Sequence, residues 1–132
     1  MGSPPRVYRT LQRDAKRIRK GPTGDVGSIF RGSGFEVVWV SKKGESIDRR
    51  WFRLSSVDLL LVVRGRLRVD FQERRLRPKV LKSGDLLVLP PRVKCRAYRW
   101  PRSSKQATVF VAMYPISRGS KAARRKGSHR GA

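Results

Sequence analysis

The sequence predicts a mainly β protein, an antiparallel barrel or sandwich, on three observations. From Phe35 onward, short runs rich in Val, Leu and aromatic residues recur with a period of two. Turn-forming stretches, KKGES, RGR, QERR, KSG and PRSSK, separate them at intervals typical of consecutive short strands. The chain of 132 residues has room for one packed core and not two, and it shows no repeat of fixed period.

Taken in order, the elements divide the chain into three parts. Residues 1–21 read as a basic N-terminal helical extension: Ser3 is a candidate N-cap with Pro4 and Pro5 in the first turn, and Val7, Leu11, Ala15 and Ile18 follow at helical spacing until Gly21-Pro22. The opposite face carries Arg6, Arg9, Arg13, Lys16 and Lys20, with Arg17 beside them. Residues 22–116 form the barrel domain, its strands being FEVVWVSK, WFRLS, VDLLLVV, RLRVDF, RLRPKVL, DLLVLP, VKCRAY and QATVFVAMY, with Gly32-Ser33-Gly34 as a loop. Residues 117–132 are a basic tail of Gly, Ser and Ala interleaved with Arg and Lys, too polar to fold unless a partner orders it.

Charge is the dominant chemical fact. Thirty-three Lys and Arg face nine Asp and Glu, a net of +24 and a pI near 11.8. Both ends are basic, and so is the segment between them, where twenty basic residues face eight acidic ones. Self-repulsion of this size works against the compact state, and a polyanion relieves it, so nucleic acid is the expected partner ahead of acidic lipid. A single cysteine, Cys95, excludes an internal disulfide, and apolar stretches such as Leu59 to Val63 are far too short to span a bilayer. With no apolar signal core in MGSPPRVYRT, a cytoplasmic location is expected.

A spacing pattern then places the barrel. Gly84, Pro90, Arg92, Cys95 and Arg99 stand where the second motif of the cupins has Gly, Pro, Gly, His and Asn, and Asp58 and Gly65 match the Glu and Gly that close the first. From Gly44 to Tyr114 the chain thus resembles the cupin superfamily of double-stranded β-helix barrels. The resemblance implies a metal at the barrel mouth, yet the chemistry at its positions is changed. The His-x-His pair falls in Arg50-Trp51-Phe52-Arg53, and the one histidine of the chain, His129, lies in the tail. Asp58 and Cys95 are too few donors for a transition metal, so neither metal nor cofactor is expected. Cys95 reads as a small buried hydrophobe and Asp58 as an internally paired carboxylate, with Arg53 or Arg99 as its partner. With no Ser-His or Cys-His pair and no phosphate-cradling glycine loop, the chain is expected not to be an enzyme.

Strand alternation assigns the binding residues. If Val93, Cys95 and Ala97 point inward, Arg92, Lys94, Arg96 and Tyr98 form an outward basic and aromatic row, and Arg66 and Arg68 project outward from the next hairpin. Arginine outnumbers lysine more than twofold, and its planar fork grips phosphate and stacks on bases. Tyr98, Trp100 and Trp39 offer stacking surface. The candidate nucleic-acid-binding set is therefore Arg6, Arg9, Arg13, Lys16, Arg17 and Lys20 at the N-terminus; Arg66, Arg68, Arg92, Lys94 and Arg96 on the barrel; and Arg118, Lys121, Arg124, Arg125, Lys126 and Arg130 in the tail. Basic tails on a compact body resemble the design of ribosomal proteins, which favours structured RNA over DNA and makes ribosomal proteins further candidate partners. An architectural DNA-binding role is the first alternative. A small-anion site at the barrel mouth, lined by Arg50, Arg53 and Arg99, is the second. Pairing of cupins through strand edges makes a homodimer compatible with the fold, against the repulsion of two such chains.

Overall fold

The computed structural model describes residues 4–8, 15–21, 23–44 and 47–116. Nine strands follow in chain order: β1 (Lys16–Gly21), β2 (Gly24–Gly32), β3 (Phe35–Lys42), β4 (Asp58–Arg64), β5 (Arg66–Phe71), β6 (Lys79–Lys82), β7 (Leu86–Leu89), β8 (Cys95–Trp100) and β9 (Thr108–Pro115). They form two antiparallel sheets, a six-stranded one in the order β1-β2-β3-β9-β4-β7 and a three-stranded one in the order β6-β5-β8. Alternate side chains of each sheet meet in the space between them.

The core lies where the inward rows coincide. Val40 and Val62 flank Phe110 from the neighbouring strands β3 and β4, and all three are essentially inaccessible to water. Leu67 and Val69 of β5 close this layer from the small sheet. Gly65 sits between β4 and β5, where the chain leaves one sheet for the other. Its φ of +79° suits glycine, and a Cβ there would press on the backbone of Thr108 at 3.2 Å. Gly84, with φ of +94°, makes the turn before β7, and Pro90 ends that strand, so the glycine-strand-proline span has the form its spacing implies.

The N-terminal expectation is corrected. Among the described residues there is no helix: residues 4–8 are irregular and Lys16–Gly21 is the edge strand β1, paired with β2. Two forces oppose the helix that the apolar spacing predicts. Lys16 and Lys20 would stand one turn apart on one helical face as like charges, which destabilises a helix. Gly27 of β2, meanwhile, leaves open a site for the incoming chain, where a Cβ would meet Ala15 Cβ at 2.7 Å and Ile18 Cγ1 at 2.9 Å. Pairing with an existing sheet edge outweighs local propensity. Arg9 and Arg13 lie outside the described residues, as do Arg118, Lys121, Arg124, Arg125, Lys126 and Arg130.

Two predicted strands are also reduced. In WFRLS only Phe52 pairs, in an isolated bridge to Cys95, and RLRPKVL contributes only its end to β6. Strand β2, by contrast, carries too much glycine to announce itself by propensity. A second apolar cluster, Ala15, Ile29, Trp39 and Val109 with Tyr8, Phe30 and Val37 against it, covers part of the outer face of the large sheet. At its β4–β7 end that face leaves Leu61, Val63, Leu86 and Val88 exposed.

Candidate functional site

Two features stand out on the barrel, a basic outer face on the small sheet and a cavity at the barrel mouth. The outer face follows from register. Leu67 and Val69 face the core, so Arg66, Arg68 and Asp70 of β5 face out, opposite Trp100, Tyr98 and Arg96 of β8 respectively. On the other side of β5, Lys82 and Val80 of β6 stand opposite Arg66 and Arg68. One sheet face thus carries Lys82, Arg66, Arg68 and Arg96 around a single carboxylate, Asp70.

Two of the guanidinium groups on this face are held in place. Arg68 Cζ lies 4.7 Å from the Trp100 ring centre, and Arg96 Cζ lies 3.8 Å from that of Trp51, both cation–π geometries. Arg68 Nε donates to Asp70 Oδ1 at 2.9 Å, and Tyr98 donates its hydroxyl proton to Asp70 Oδ2 at 2.6 Å. Arg96 Nη1 reaches the carbonyl of Arg49 at 3.4 Å. An arginine already held over an indole ring has lost rotamer freedom, so little more is lost when its fork meets a phosphate. Asp70 raises Arg68 above its ordinary guanidinium value by hydrogen bonding, which keeps that charge fixed.

Tyr98 is on this face but is not an exposed stacking surface, because its neighbours cover it. Burial, then the hydrogen bond to Asp70, pushes its phenol up to about 12 from an ordinary value of 10.0. The folded state therefore prefers the neutral form: the contribution is complete below pH 10 and is lost between pH 10 and about 12, as the unfolded chain ionises first. Denaturant titrations at pH 9 and pH 11.5 should show a larger stability loss for the native sequence than for Tyr98→Phe, whereas equal losses would show that Tyr98 does not titrate in this way.

The remaining predicted residues are distributed more widely. Arg92 and Lys94 are exposed on the loop before β8, where Arg92 has φ of +69° and lines a shallow groove with Lys94 and Glu73. Lys16, Arg17 and Lys20 are exposed on the β1 edge of the other sheet, and Arg6 is exposed in the irregular segment. Trp39 is corrected as a stacking residue: it is 3% exposed in the second apolar cluster. Lys82, Arg49, Trp51 and Arg102 escaped the sequence reading, because what assigns them is their contact with residues distant in the chain.

The mouth cavity, of about 410 Å³, has a floor of Leu60, Cys95, Ala97 and Phe110 and an aromatic wall of Trp51 and Phe52. Lys42, Arg49, Arg50 and Asp48 complete its lining. Asp48 accepts from the backbone N–H of Arg50 at 3.0 Å and from its guanidinium at 3.3 Å, which fixes the Arg50 side chain at the rim. Of the three arginines expected at a mouth site, Arg50 is there, Arg53 is exposed outside the lining, and Arg99 is 8% exposed on the Leu67 side of the small sheet. The metal expected of the cupin resemblance does not fit these residues. Among the described residues no three His, Cys, Asp or Glu side chains converge, and the floor beside Cys95 is hydrocarbon.

Comparison with solved structures supports the fold assignment. An uncharacterised protein with a double-stranded β-helix domain from Klebsiella pneumoniae matches at 13% identity, covering 85% of this chain and 90% of its own, with a TM-score of 0.66. An RmlC-like cupin from Shewanella frigidimarina matches at 17% identity, covering 83% and 90%, with a TM-score of 0.62. A Bacillus subtilis oxalate decarboxylase matches at 15% identity over 82% of this chain but 30% of its own, with a TM-score of 0.63. No protein-family model matches the chain, and no curated protein matches it by sequence. The chain has the double-stranded β-helix fold of the cupins. The expectation that it is not an enzyme is corrected by the same comparison: the fold is shared with an oxalate decarboxylase, so the loss of the histidines does not set enzymes aside.

Proposed function

We propose that this chain binds structured RNA through the outer face of the β6-β5-β8 sheet, with the basic ends of the chain adding contacts. The observation that carries the reading is the set of Lys82, Arg66, Arg68 and Arg96 on one sheet face, two of the arginines stacked on Trp100 and Trp51. Nine carboxylates can neutralise at most nine of thirty-three cations, so most of the positive charge is open to an external polyanion. RNA is favoured over DNA by shape. A three-stranded sheet face is broad for the B-form major groove, which takes a helix or a two-stranded ribbon, whereas sheet faces bearing aromatic residues suit the splayed bases of RNA loops.

The test is a salt titration of the intact chain against an rRNA fragment, with a DNA duplex of equal length as competitor. With six or more phosphates neutralised, affinity should fall roughly 10³-fold or more between 50 and 200 mM salt, and RNA should outcompete the duplex. Absence of binding at 50 mM salt would overturn the proposal, and preference for the duplex would replace RNA by DNA as the partner. A second reading, a small anionic ligand at the barrel mouth, is supported by the cavity with Arg49 and Arg50 at its rim.

A further inference from the structure

The mouth cavity and the basic outer face adjoin. Arg49 lines the mouth and also a shallow groove on the outside of the small sheet, together with Ile47, Asp70, Arg96 and Arg102. Trp51 joins the same two places: its ring belongs to the mouth wall, and Arg96 of the outer face lies against it. A chain of phosphates crossing Arg96 and Arg102 therefore passes the entrance of the barrel.

The lining selects the ligand class. A floor of Leu60, Cys95, Ala97 and Phe110 pairs poorly with the hydroxyls of a sugar set against it, since the polar lining is confined to Lys42, Asp48, Arg49 and Arg50. Trp51 and Phe52 provide apolar aromatic surface for a flat ring, Arg49 brings a cationic fork to the rim, and Arg50, held there by Asp48 through Nε and Nη2, adds a second guanidinium. The volume, about 410 Å³, is within the roughly 300–1,000 Å³ of small-ligand pockets. A planar base attached to a phosphate matches the aromatic wall and the cationic rim, with Lys42 and Asp48 of the same lining as polar partners for the edge of the base. We infer that the barrel mouth holds one unpaired nucleotide, its base inside against Trp51 and Phe52 and its phosphate at Arg49 and Arg50. This rests on the RNA reading in one respect: the nucleotide is taken to be one splayed from the strand bound on the outer face.

Calorimetric titration of the intact chain in low-salt buffer tests it with adenosine 5′-monophosphate, ribose 5-phosphate and inorganic phosphate. The nucleotide should bind with one site per chain and at least tenfold more tightly than the other two, and both Trp51→Ala and Arg50→Ala should weaken it at least tenfold with melting temperatures little changed. Trp100→Ala, outside the mouth lining, should leave nucleotide binding within twofold while weakening RNA. Equal binding of ribose 5-phosphate, or nucleotide binding lost in Trp100→Ala and kept in Trp51→Ala, would overturn the inference. RNA binding without nucleotide binding removes the pocket and leaves the outer-face reading standing; nucleotide binding without RNA binding does the reverse.

Discussion

Changing Arg66, Arg68 and Arg96 together to alanine should weaken RNA binding by roughly 10²-fold at 100 mM salt and make the salt dependence shallower by about two to three units of slope, since each lost phosphate contact removes about 0.7 to 0.9. The size of the effect follows from the outer face of β5 and β8, where these three cations stand across a strand pair from Trp100, Tyr98 and Asp70. Removing Arg68 also leaves Asp70 with one partner fewer, adding a carboxylate less well neutralised to the proposed binding face. The thermal midpoint should change little, because partly exposed charges contribute about 0–1 kcal/mol each to folding. Filter binding at several salt concentrations beside a thermal melt separates the outcomes: unchanged affinity with an unchanged melt would remove this face from the interface.

Phe110→Ala should be the most damaging single change to stability. Phe110 is 0% exposed between Val40 and Val62, and Phe-to-alanine truncation in a packed core costs about 3–5 kcal/mol in lost transfer energy and cavity formation. For a domain of this size that corresponds to a fall in melting temperature of roughly 10–20 °C. The same truncation enlarges the mouth cavity, whose floor Phe110 shares. A melting temperature within a few degrees of the native value would mean that this row is not the centre of the core.

At the barrel mouth, cationic and aromatic side chains surround an apolar floor without a cluster of metal donors among the described residues. The Arg96–Trp51 stack joins that cavity to the outer surface.

What the sequence determined by itself was the run of strands from Phe35 onward, the turns at Gly65 and Gly84, and the inward phase of Cys95 opposite the outward phase of Arg66, Arg68 and Arg96. These are local properties: a period of two and a glycine in the left-handed region are written in neighbouring residues. Only the tertiary structure decided that Lys16–Gly21 is a strand, since its pairing edge and the space beside Gly27 lie in β2. Trp39 could not be told from an exposed aromatic, because the residues that cover it come from other strands. Trp51 and Arg96, forty-five positions apart, meet only because Phe52 bridges to Cys95 across the barrel mouth, a contact that strand periodicity does not encode.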